Sequence, residues 1–172
     1  RERFLRELKF SRKISHPNVI RIHDFLTKDG ISAISMEYFE SSGLDQLIKG
    51  KKLKDHQEIL KIFYQVCEGI REAHQKNVIH RDLKPSNVMV TLHDGAPVVK
   101  VIDFGVAKAM DESLSETAMQ TVAGQLLGTP AYMTPEQMLG ERPGADWDLY
   151  AAVDQLSRDI RETLEVPETG GR

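Results

Sequence analysis

Within eight residues, His80-Arg81-Asp82-Leu83-Lys84-Pro85-Ser86-Asn87 gathers a carboxylate, an ammonium and an amide, and 21 positions after its Asp stands Asp103-Phe104-Gly105. The glycine lets the backbone turn beside the second carboxylate. This set suits phosphoryl transfer, whose transition state spreads charge over phosphate oxygens and is stabilised mainly by positioning and by metal ions. Asp82 can orient a hydroxyl and accept its proton, while Lys84 neutralises charge on the moving group. Asn87 and Asp103 offer hard oxygens of the kind Mg2+ prefers beside nucleotide phosphates. Singly, each residue has a plainer role as a turn cap, a solvated charge or a strand-end residue; their spacing joins them.

Together the two runs match the catalytic-loop and metal-loop signatures of protein kinases. The sequence resembles the eukaryotic-like serine/threonine protein kinases, with the bacterial branch nearest. The resemblance implies that Asp82 is the catalytic base, that Asn87 and Asp103 bind Mg2+, and that Phe104 packs differently in active and inactive states. ATP would be the phosphoryl donor and a protein Ser or Thr hydroxyl the acceptor. Lys84 favours this class, because tyrosine kinases usually lack a lysine two residues after the base.

The elements that must position these groups follow from periodicity. Phe4, Leu5, Leu8 and Ile14 fall at helical spacings and predict an amphipathic helix over 1–14, ended by Ser15-His16-Pro17-Asn18. Glu7 lies on it, in the place where the family's helix αC pairs a Glu with a phosphate-holding lysine. Alternating apolar residues over 19–25 and 31–38, around Lys28-Asp29-Gly30, predict a hairpin. By resemblance this hairpin leads into the hinge, with Met36 beside the adenine and Glu37, Tyr38 and Phe39 offering backbone groups to its edge.

A short helix is expected over 44–49, closed by Gly50-Lys51-Lys52. A long core helix then starts at Asp55, with Glu58 three residues on and an apolar stripe of Ile59, Ile62, Phe63, Val66, Ile70 and Ala73. His74, near its end, reads as structural, since no Cys or second His stands at ligand spacing. Short strands over 88–90 and 98–102 bracket a turn-rich stretch at 93–97 and would hold the site on rigid edges.

From Asp103 to Glu136 the chain is rich in hydroxyls, which the resemblance reads as an activation segment ordered when a phosphate pairs with cations. Thr121, then Thr117, are the expected phosphorylation sites and Arg81 the expected cation. Gly128-Thr129-Pro130 resembles the substrate-facing turn, with Thr129 near Asp82 and Lys84. Thr134-Pro135-Glu136 replaces the family's Ala-Pro-Glu. Asp148 matches the Asp that anchors the catalytic loop from helix αF, and 151–172 reads as a divergent, half-wet helix and a polar tail.

The expected fold is therefore α+β: a two-lobed kinase-like architecture, mostly helical and truncated, running from helix αC to about αF. Residues 1–38 would be the remainder of the small lobe and 39–150 the upper large lobe. A whole kinase needs about 250 residues. This chain of 172 shows neither a glycine-rich loop nor a strand lysine for Glu7, so catalysis is expected to be incomplete in it.

A net charge of -3 gives no global basic field for nucleic acid or anionic lipid. One cysteine, Cys67, and no apolar run of about 18 residues fit a reducing, soluble, cytoplasmic setting without a membrane segment. Two other readings compete. One is a catalytically inactive kinase-like regulatory or binding fragment, against which the intact polar groups speak. The other is a small-molecule phosphotransferase, which shares the Asp-x-x-x-x-Asn spacing but generally lacks Lys84 and the Gly-Thr-Pro turn.

Overall fold

In the computed structural model, residues 12–28, 31–53, 55–104, 144–152 and 158–159 are described. The first two strands, β1 (Ile22–Lys28) and β2 (Ile31–Met36), pair antiparallel with Lys28 opposite Ile31 and a register shift between Ile22 and Asp24. This is the expected hairpin, begun three residues late. Val19 makes a single parallel bridge to Val101 instead, because Val19 and Ile20 are buried against the second sheet.

That second sheet carries the site. A two-residue strand β3 (Ser42–Gly43) and strand β5 (Ala96–Val101) flank β4 (Val88–His93), all antiparallel. The β4–β5 hairpin is tighter than the predicted 93–97 turn. Its two central residues, Asp94 and Gly95, have φ of 51° and 76°, as a two-residue type I′ turn requires, so Pro97 joins the strand opposite Leu92. Val88 and Val90 of β4, with Pro97, Val99 and Val101 of β5, point inward by strict alternation.

Helix α1 (Leu44–Lys49) lies where expected, although the left-handed residue after it is Lys51 (φ 48°) and not Gly50. Lys52 N–H donates to the Leu47 carbonyl and Lys51 N–H to that of Ile48. Helix α2 (His56–Gln75) starts as predicted, with the Asp55 carboxylate accepting from Gln57 N–H at 2.9 Å. It ends in the same kind of cap: Asn77 sits at φ 57°, and Val78 and Asn77 N–H donate to Ala73 and His74 carbonyls. Ala73 and Val78 are both buried there.

The α2 stripe of Ile59, Ile62, Val66, Ile70 and Ala73 packs on β5 and joins Leu44, Leu53, Leu83, Val88 and Phe104 in one core. Each fully buried branched side chain of this kind contributes about 1.5–3 kcal/mol. Helix α3 (Ala145–Tyr150) buries Trp147 and Asp148, and Ala151 and Ala152 follow it into the core.

Five strands stand beside three α-helices and one 3-10 turn among the described residues, so a mostly helical chain is not what they form. The β-branched stretches over 88–101, closed by an Asp-Gly turn, account for that difference. Residues 12 and 13 form a turn and Ile14 is buried but not helical, so the predicted 1–14 helix does not extend over 12–14; residues 1–11, and most of the tail, lie outside those described.

Candidate active site

The loop between α2 and β4 is held from below by one carboxylate. Asp148 is 1% exposed; its Oδ2 accepts His80 N–H at 2.7 Å and faces His74 Nε2 at 2.8 Å, and its Oδ1 accepts Arg81 N–H at 2.8 Å. A buried carboxylate is tolerable only with such a full set of donors. Arg81 has φ 69°, a conformation that a non-glycine side chain disfavours, and its pinned N–H helps keep the backbone there. His74 thus has the structural role expected of it.

His80, fully buried, fixes the next turn. Its Nε2 lies 2.8 Å from the Ile102 carbonyl, which can only accept, so Nε2 carries the proton. Nδ1 is then free to accept Asp82 N–H, at 3.3 Å. The ring also stacks obliquely on Phe104, with centroids 4.8 Å apart. One imidazole therefore ties the loop of Asp82 to the residues on either side of Asp103.

Above this base Asp82, Lys84 and Asn87 are tied to one another. Lys84 Nζ is 2.8 Å from Asp82 Oδ2, with both side chains about three-quarters shielded. Asn87 Nδ2 donates to the Asp82 carbonyl at 2.9 Å, and Asn87 N–H donates to that of Lys84 through the 3-10 turn Pro85–Asn87. Ile102 N–H then donates to the Asn87 carbonyl at 2.9 Å, which joins the start of β4 to the end of β5. Asp103 follows at φ 62°, exposed.

This donor set suits a hard cation. With Nδ2 of Asn87 committed to the Asp82 carbonyl, the amide oxygen is the Asn87 side-chain atom able to serve a cation. No three His, Cys, Asp or Glu side chains converge on a metal position among the described residues. A bound Mg2+ would therefore depend on one amide, one carboxylate, water and phosphate, a mixture this ion accepts.

Met36 ends β2, and Glu37 and Phe39 follow it. Met36 is 42% exposed. Glu37 N–H donates to the Arg21 carbonyl, and its Oε1 accepts Arg21 N–H at 2.7 Å and pairs with Lys100 Nζ at 2.8 Å. Burial alone would raise the Glu37 pKa; the Lys100 hydrogen bond, the Arg21 N–H and the nearby positive charge outweigh it and hold the carboxyl below its ordinary value. Lys100 Nζ also lies 5.6 Å from the centre of the Phe39 ring.

Lys100 thus pins the segment of Glu37 and Phe39 to β5, a role not foreseen in the sequence. Its signal was a lone charge on the alternate face of an otherwise apolar strand. Glu7, Thr117, Thr121 and Thr129 lie outside the described residues. No described helix is long and apolar enough to cross a membrane.

Comparison with known proteins agrees with this geometry. Residues 1–153 match the family described as protein kinase domain. The chain is 41% identical over 151 residues to the serine/threonine-protein kinase pkn3 of Myxococcus xanthus, covering 87% of this chain and 27% of that protein. It is 36% identical over 155 residues to a probable serine/threonine-protein kinase PknB of Corynebacterium glutamicum, covering 88% and 23%. Against the serine/threonine-protein kinase PrkC of Bacillus subtilis it is 36% identical over 149 residues, covering 87% and 22%. The chain thus spans about a quarter of the length of these relatives. With its catalytic-type loop seated on Asp148 and a family match over most of its length, the chain belongs to the protein kinase family.

Proposed function

We propose that the chain is the catalytic region of a serine/threonine protein kinase, moving the γ-phosphoryl group of ATP onto Ser and Thr hydroxyls of a protein. The observation that carries this reading is the Asp82–Lys84 pair at 2.8 Å on a backbone locked by both Asn87 and His80. Asp82 orients the acceptor hydroxyl and takes its proton as the oxygen–phosphorus bond forms. The bond from the γ-phosphorus to the bridging oxygen breaks, and its electron pair leaves with ADP. Lys84 balances charge on the transferring group.

Asn87 and Asp103 are the groups that would hold Mg2+, whose charge neutralises the phosphates when bound. Met36, Glu37 and Phe39 line the adenine side, and Glu7 pairs with a lysine that holds the phosphates. Thr121 and Thr117 are the proposed regulatory phosphorylation sites, read by Arg81, and Thr129 faces the substrate hydroxyl.

The full gene product incubated with radiolabelled ATP, Mg2+ and a basic protein tests the assignment by phosphoamino-acid analysis. Phosphoserine and phosphothreonine are expected. Label confined to phosphotyrosine, or no transfer to protein, would overturn it.

A further inference from the structure

Strand β5 ends two residues before Asp103 and, among the described residues, has a strand, β4, on one side only. An edge strand presents a row of backbone groups that need partners when buried. Here the row is filled in an unusual way. At the end nearest the site, Val101 N–H donates to the Asn18 carbonyl and the Val101 carbonyl accepts Ile20 N–H, both at 2.9 Å, which is a true parallel bridge.

Further along the edge no strand continues among the described residues, and side-chain amides take over. The Val99 carbonyl accepts Asn18 Nδ2 at 2.9 Å. Val99 N–H donates to Gln65 Oε1 at 3.0 Å, and Gln65 Nε2 donates to the Pro97 carbonyl at 2.8 Å. Donation to residue 97 and acceptance from residue 99 is the pattern that one residue of a parallel strand would make opposite residue 98. Gln65 Oε1 also accepts Asn18 Nδ2 at 2.9 Å, so the two amides brace one another.

We propose that Gln65 is a positioning residue for phosphoryl transfer: its side-chain amide stands in for a missing strand on the edge of β5, and so sets where that strand delivers Asp103 beside Asn87. The inference rests on reading Asp103 and Asn87 as the metal-holding pair. Gln65 itself touches neither. Its effect passes along a short, stiff path: β5 is braced at Pro97 and Val99, bridged at Val101, and fastened to Asn87 through Ile102 N–H. Without the amide, the Pro97 carbonyl and Val99 N–H lose their partners, and the strand must shift or open to water to satisfy them.

The test is Mn2+ binding to the purified full gene product in the presence of ADP, with free ion counted by electron paramagnetic resonance. Gln65→Leu, similar in volume but without the amide, is expected to weaken Mn2+ binding about tenfold, the scale of outer partners of a metal site. Ile70→Val on the same helix loosens the core against β5 but removes none of the hydrogen bonds along its edge, and is expected to lower the melting temperature while leaving Mn2+ affinity unchanged. Gln65→Glu keeps both acceptor bonds but sets a carboxylate oxygen against the Pro97 carbonyl in place of the donation; it too is expected to weaken Mn2+ binding, and carries the test if Gln65→Leu does not fold.

Unchanged Mn2+ affinity in the folded Gln65 variants, or a loss in Ile70→Val as large as theirs, overturns the inference. Failure of the underlying assignment looks different: Asp103→Asn would then bind Mn2+ and ADP as well as the unaltered protein, and both readings would fall.

Discussion

The Asp148 carboxylate accepts the backbone N–H of His80 at 2.7 Å across 68 residues of sequence, and through this one contact α3 sets the height of the loop that carries Asp82. Nothing about Asp148 is chemical in the sense of touching a substrate. Its role is to supply a fully buried acceptor to two successive N–H groups and one imidazole.

Asp148→Ala would leave those donors buried without an acceptor. A loss of roughly 3 kcal/mol of stability is expected, at about 1–3 kcal/mol for each unsatisfied group with partial relaxation. Phosphoryl transfer should fall by about a hundredfold even where the protein stays folded, because the loop of Asp82 is then misplaced. Urea denaturation and initial rates on the same preparation measure the two effects.

Gly69 lies on α2 one turn beyond Gln65, facing the Asn18 turn. A Cβ built there would meet the Asn18 carbonyl oxygen at 2.8 Å and Val19 Cγ2 at 3.3 Å. In a free helix Gly→Ala is favourable by about 1 kcal/mol. Here the sign reverses, since the obstructing atom is backbone: Gly69→Ala should destabilise by about 1–3 kcal/mol, as overpacking does. A rise in the urea midpoint would show that the turn yields freely.

Glu37 makes stability depend on pH. Its folded-state pKa lies below the unfolded value, so the pair with Lys100 contributes fully above the ordinary glutamate range, and that contribution is lost as pH falls through the folded pKa. Glu37→Gln should therefore cost about 1 kcal/mol near neutral pH. The difference from the unaltered protein should shrink as pH drops below the ordinary carboxylate range. Stability curves for both proteins between neutral and mildly acid pH follow this directly, and a gap that widens on acidification would contradict it.

Local rules accounted for much of this molecule in advance. Asp55 and Glu58 marked the start of α2 because capping is decided within four residues, and the Ile59 to Ala73 stripe marked its buried face. Asp148 was found by its match to a family pattern and not by spacing, since no local rule links residue 148 to residue 80. Lys100, Asn18 and Gln65 were not recognised because their partners are distant backbone groups or side chains: the Glu37 carboxylate, the Val99 carbonyl, the Pro97 carbonyl. Such contacts depend on how α2 and the hairpin lie over β5, which sequence periodicity does not encode. Lys51 in place of Gly50 at the left-handed cap position shows the same limit on a smaller scale.

The central claim is that Asp82, held by Asn87, His80 and Asp148 and paired with Lys84, takes the proton of the acceptor hydroxyl. The most direct test compares initial rates of ATP-dependent phosphorylation of a protein substrate by the full gene product and by its Asp82→Asn form, with circular dichroism confirming that both are folded. The account predicts that Asp82→Asn loses a factor of about 10^2–10^4 in kcat. Equal rates in the two proteins would contradict it.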